Sequence, residues 1–323
     1  MGYGSYSHNA HVAMTSARAA APGKEVFTQA ACHPLMNPQG LKLRESRDSE
    51  PHPNSLGVVF ALDVSGSMGE IPKKLAVETL PAFMKAMLDA GVADPQVLFM
   101  AIGYADGDRA PVQIGQFEST ERLMDQWLTW MYLEGGGGGG NESYELAMYF
   151  AARHTDMDCV KKRNRRGYLF ITGDEPPNPV VSASQVRNVF GDKLPGDIPV
   201  RDVIEEVQRS FEPFFLIPDL ARAKNIQAGW RDLLGDRVIA MESPDDTSYV
   251  AAGLVSLLEG AVASLPELGK RFEASGIPVQ RARAVVRAIE PFAASIGRDG
   301  APEPPLRGPA VMPAGDGPSG WDR

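Results

Sequence analysis

The sequence predicts an α/β fold: a doubly wound, mostly parallel six-stranded sheet with helices on both faces. Six short apolar runs between residues 56 and 241 have strand length, and the longest are apolar without alternation, as strands covered on both faces must be. Between most of them lie longer segments with apolar residues at helical spacing, and that alternation builds a parallel sheet. Two of the runs, ending at Leu62 and Thr172, pass directly into acidic turns. In sheets of this kind the carboxyl ends of the strands face the ligand.

Residues 56–62 form the first strand. The helix after it, to about residue 90, rests on Ile71, Leu75, Ala76, Leu80, Phe83, Met84, Met87 and Leu88, and Pro81 is expected to kink it. Residues 96–104 and 112–117 are the second and third strands. Ser119 and Thr120 are placed to cap a helix running to about residue 132, with Leu123, Trp127 and Trp130 inward. Six glycines, 135–140, precede Asn141-Glu142-Ser143, which opens a helix with Leu146, Ala147, Phe150 and Ala151 inward. Residues 168–172, 213–217 and 237–241 are the remaining strands, and 200–209, 220–234 and 249–265 the remaining helices. Residues 56–265 thus form one domain.

Outside it, residues 1–25 lack apolar periodicity and read as a disordered tail. Residues 26–55 form an N-terminal extension with strand-like alternation near Leu41 and Leu43, and whether it folds back over the acidic turns is left open. Residues 266–296 read as a helical extension built on Val279, Ala282, Val286, Ile289 and Phe292. Residues 297–323, rich in Gly, Pro and Asp, read as a second disordered tail.

An apolar content of 43% with 23% charged residues is that of a soluble globular chain, and no run approaches the roughly 20 apolar residues of a membrane span. The first residues show no basic start followed by an apolar core, so no secretion signal is expected. Two cysteines, Cys32 and Cys159, make no disulfide scaffold, and a cytoplasmic location fits best. A net charge of −9 argues against a general nucleic-acid binder.

The chemistry concentrates in Asp63-Val64-Ser65-Gly66-Ser67. One carboxylate and two hydroxyls at the end of a buried strand make an oxygen set suited to a hard cation. This Asp-x-Ser-x-Ser order resembles the metal-ion-dependent adhesion site of von Willebrand factor A domains. The glycine loop before Ser143 and the turn Thr172-Gly173-Asp174 follow in that family's order, so the resemblance covers about 210 residues. It implies a metal held by Asp63, Ser65, Ser67 and Asp174, with Glu175 a substitute for Asp174. Where the family places a threonine, this chain offers Asn141, Glu142 or Ser143, and counting back from the small inward residue Ala147 points to Glu142. The bland readings are that Ser65 and Ser67 cap the next helix and that Glu142 stabilises a helix start.

The resemblance implies Mg²⁺, or Mn²⁺ or Ca²⁺, as cofactor, with its open position taken by a carboxylate of a partner protein. Bacterial stand-alone members of the family suggest a MoxR-type AAA+ ATPase as that partner, with this chain as adaptor or co-chaperone. An extra carboxylate from Glu142 would hold the cation more tightly and attract a partner's carboxylate less. The alternatives are a metal-dependent hydrolase using the same acids, and a structural subunit whose site is degenerate. No catalytic residue is assigned. The glycine run lacks the Gly-Lys-Ser/Thr of a phosphate loop, Ser65 stands where a hydrolase elbow needs glycine, and His154 is the lone histidine of the domain. Cys32-His33 and His154 with Cys159 lack zinc-site spacing. The basic run 161–166 reads as a solvated loop.

Overall fold

The computed structural model describes residues 5–18, 23–66, 68, 70–135 and 141–299. All six expected strands are present: β1 (Ser55–Asp63), β2 (Asp94–Ile102), β3 (Val112–Ile114), β4 (Gly167–Thr172), β5 (Phe211–Ile217) and β6 (Val238–Ala240). Their order in the sheet is β6-β5-β4-β1-β2-β3. Every pairing is parallel except β3 on β2. From β1 the chain moves outward through β2 to β3, then returns to the other side of β1 and moves outward again through β4, β5 and β6. The direction therefore reverses between β1 and β4, the switch point at which such sheets open a crevice.

Every residue of β1, β2 and β4 is buried, because helices cover both faces. Phe99, Phe60, Phe170 and Phe214 stand in register on four adjacent strands. Their rings follow one another at centroid separations of 6.0, 5.3 and 5.7 Å. Burying each such side chain contributes about 1.5–3 kcal/mol, so this row fixes strand order and register together.

The helical run after β1 is built from Glu70–Lys74, Leu75–Thr79 and Leu80–Asp89, and its middle segment is π-helical. Pro81 falls in the first turn of the last segment. The wide turn before it accommodates the missing N–H and the ring that would otherwise strike the preceding carbonyls. The expected closing helix is shorter than its pattern, Thr247–Leu258, and a separate helix, Leu265–Ala274, follows before Val279–Ser295. The polar stretch between β4 and β5 also holds a helix, Ala183–Phe190, which ends at Gly191 with φ +82°. No helix among the described residues is long and apolar enough to cross a membrane.

Residues His8–Arg18, in the stretch expected to be a disordered tail, form a helix that packs on Leu75–Thr79 and Leu80–Asp89. Its inward positions are His11 and Thr15, so no apolar stripe announces it, and Arg18 pairs with Asp125 at 2.6 Å. The extension 26–55 is anchored at the end of the sheet opposite the acidic turns. Its strand Arg44–Ser46 pairs with Thr155–Met157 near the amino ends of β1 and β2, where Ser46 donates to Gln96 at 2.8 Å.

The basic run is no solvated loop. Its first half forms the helix Asp158–Arg163, and its cations are paired: Lys161 with Asp156, Lys162 with Asp158, Arg163 with Asp48, Arg165 with Glu259 and Arg166 with Glu212. From the extension, Arg47 joins Asp156 and Asp158. A network of charges therefore fastens the extension to the base of the sheet.

Candidate metal centre

Asp63 is the last residue of β1 and has no solvent exposure. Its N–H donates to Thr172 Oγ1 at 3.2 Å, its Oδ1 accepts from the Ser65 N–H at 2.9 Å, and its Oδ2 accepts from the Tyr144 hydroxyl at 2.7 Å. The bond to Ser65 is a side-chain turn two residues long, which is why Asp suits this position. Asp174 follows β4, and the register that pairs Leu62 with Thr172 brings the two acidic turns side by side.

Glu142 arrives from the loop before the helix Tyr144–Arg153. That loop is pinned to the end of β2: the Ser143 N–H donates to the Gly103 carbonyl at 2.9 Å, and Ser143 Oγ accepts from the Ala105 N–H at 3.1 Å. Of the three residues offered by the sequence, Ser143 is thus used in holding the loop, and Glu142 is the one brought to the acids. Carboxylate oxygens of Asp63, Glu142 and Asp174 all lie within 4.8 Å of one another, and all three residues are buried. Glu142 Oε2 is buried and accepts no hydrogen bond from any described residue. Ser65 is buried beside them. Ser67 lies outside the described residues.

Burial pushes the Asp63 carboxyl up to about 6, opposed by hydrogen bonds from Ser65 and Tyr144 and assisted by the Asp174 charge. Burial and then the Asp63 charge push Glu142 up to about 7. The buried carboxyls of Asp63 and Glu142 resist ionising together, and a divalent cation or a proton relieves them. The donor set is all oxygen, with one buried oxygen lacking a donor among the described residues. It fits a hard cation such as Mg²⁺, Mn²⁺ or Ca²⁺ better than zinc, whose usual sites use histidine and cysteine.

Two residues of this centre have no motif to announce them. Tyr144 donates to Asp63 and accepts from the backbone N–H groups of Asp174 and Glu175 at 3.2 and 3.4 Å, so one oxygen joins both turns. Its ring lies so close to Gly173 that a Cβ there would stand 2.5 Å from it and 2.7 Å from Phe215. That glycine between Thr172 and Asp174 is the one trace of Tyr144 in the sequence. Arg222, on the helix Leu220–Leu234 after β5, pairs with Asp174 Oδ2. Glu175 holds Trp230 Nε1 through its carbonyl at 3.0 Å.

The other motifs go elsewhere. His154 binds Asp192 at 2.6 Å and the carbonyls of Leu41 and Lys42. His33 stacks on Trp130, and Cys159 is buried.

No family model matches the chain, and no curated protein matches it. Solved structures similar to it include the proximal thread matrix protein 1 from the mussel byssus, at 10% identity and a TM-score of 0.41 over 65% of this chain and 50% of that one. The pilus adhesin SpaC from Lactobacillus rhamnosus GG is similar at 14% identity and 0.44, over 69% and 32%. A von Willebrand factor type A protein from Catenulispora acidiphila is similar at 12% identity and 0.39, over 72% and 52%. The chain thus spans between about a third and about half the length of these structures.

Proposed function

We propose that this chain is a von Willebrand factor A-type domain that holds a divalent cation, Mg²⁺ first among them, and uses it to bind a partner protein. The observation that supports this reading is the convergence of three buried carboxylates, one of them in Asp-x-Ser-x-Ser, at the switch point of the sheet. Asp63, Glu142 and Asp174 would hold the ion through carboxylate oxygens, and Ser65 and Ser67 directly or through water. When bound, the cation supplies a position for an oxygen of the partner.

Charge decides how open that position is. Three carboxylates carry three negative charges, the cation two positive ones and Arg222 one more, so the assembled site is neutral. Such a site retains its ion firmly and attracts a partner's carboxylate less than a site with two carboxylates would. Arg222 holds Asp174, and Tyr144 holds Asp63, so these two set the spacing of the acids. The specific partner to try first is the one the resemblance implies, a MoxR-type AAA+ ATPase, with this chain as adaptor or co-chaperone.

Thermal melting with Mg²⁺ or Mn²⁺ against chelator tests the ion. Wild type should gain about 5 °C or more at cation concentrations far above Kd. Asp63→Ala should show no gain. Absence of a shift in wild type would overturn the reading. Pull-down of the partner with and without chelator then tests whether binding depends on the metal.

A further inference from the structure

Beside the acidic centre, and separate from it, is a cavity of about 300 Å³ walled by Tyr104, Asp106, Ser143, Glu145, Asn178 and Gln185, among others. None of Asp63, Glu142 and Asp174 lines it. At about 30 Å³ per water it has room for roughly ten waters, or for a side-chain head group with a few of them. Glu145 is 1% exposed. Its Oε2 accepts from Asn178 Nδ2 at 3.0 Å, while Oε1 is buried and accepts no hydrogen bond from any described residue.

We propose that this cavity binds an organic cation, a guanidinium or alkylammonium group, with Glu145 as its buried acceptor and Asp106 as a second charge at its mouth. A buried carboxylate with one oxygen unmatched calls for a donor, and a donor that is itself a cation gives the stronger, charge-assisted bond. Asp106 is exposed and is held by Gln185 Nε2 at 2.8 Å. Its charge acts on Glu145, adding to the burial that pushes the Glu145 carboxyl up to about 7. Tyr104 supplies an aromatic wall for a flat guanidinium. A metal ion suits the cavity less well. Among the described residues the cluster able to hold one is Asp63, Glu142 and Asp174, to which neither Glu145 nor Asp106 belongs.

The cation has two possible sources, a basic side chain of a partner protein and a free small amine. The test uses the full chain in chelator, so that its outcome is independent of the metal reading. Ethylguanidinium and n-butylammonium are titrated by calorimetry, with sodium chloride matched as control. Saturable binding with Kd below about 20 mM is expected for wild type. Glu145→Gln, which keeps the shape and the Asn178 contact, should weaken it at least about tenfold. Asp106→Asn, at an exposed position that leaves the fold intact, should weaken it by about threefold or more. Tighter binding of N-acetyl-argininamide than of free arginine assigns the site to a partner's side chain, and the reverse order assigns it to a small amine. No saturable binding to wild type, or equal binding to wild type and both carboxylate variants, overturns the proposal.

Discussion

The phenol oxygen of Tyr144 holds the two acidic turns together, donating to one carboxylate and receiving the backbone of the other turn. Tyr144→Phe keeps the ring against Phe215 and Trp230 and removes that oxygen alone. Leaving a buried acceptor and buried N–H groups unmatched costs about 1–3 kcal/mol, and chemical denaturation should show a loss of that size. The same variant should bind Mn²⁺ more weakly, because Asp63 then lacks its anchor. The acids themselves set the pH response. Asp63 and Glu142 sit at about 6 and about 7 in the fold against ordinary values of 3.8 and 4.5. Both folded values are raised, so the native state binds protons that the unfolded chain releases. Their stabilising contribution is full below about pH 4 and is lost as pH rises through about 6 to 7. Melting in chelator should therefore fall between pH 5 and 8 by more than it does with Glu142→Gln, and saturating Mg²⁺ should flatten the curve by favouring the ionised form.

Strands and loops divide the labour differently. The extension is tied to the base of the sheet by ion pairs, and Arg163 is central there: it binds both oxygens of Asp48 at 2.8 and 3.0 Å and the Ser55 carbonyl. Arg163→Met, which keeps the aliphatic stem, should cost about 1–2 kcal/mol after allowance for the partial exposure of the pair. It should also expose the strand Arg44–Ser46 to faster amide exchange. β1, β2 and β4 were legible because each carries a long continuous apolar run, whereas β3, with Gln113 at its centre, carries the weakest mark of the six. Glu142 was legible only as one of three neighbours, Asn141, Glu142 and Ser143, toward which the resemblance and the count back from Ala147 pointed, and the fold brings its carboxylate to Asp63 and Asp174. The helices His8–Arg18 and Ala183–Phe190 were not, since the inward residues of the first are a histidine and a threonine and the second lies among prolines and polar residues. Arg222 and Glu145 were missed for another reason: their partners come from distant parts of the chain, and a single basic or acidic residue on a helix carries no local mark. Tyr144 left only the glycine that makes room for it.

Across the molecule, the acidic centre and the ionic base lie at opposite ends of β1. Nine residues at about 3.3 Å each place them roughly 30 Å apart. Sites so distant with no shared partner should act independently. In chelator, the losses or gains of Asp63→Ala and Arg163→Met should add within about 0.5 kcal/mol in the double variant. An excess over that sum would show that β1 transmits strain between its ends.

The two outer strands, β3 and β6, are three residues long each, and β3 runs against its neighbour. A sheet margin this brief gives a foreign chain almost no ladder of free N–H and C=O groups to copy. The protein is therefore poorly suited to recruiting partners, or further copies of itself, by extending its sheet. Short borders of this kind leave little template for fibril-like stacking.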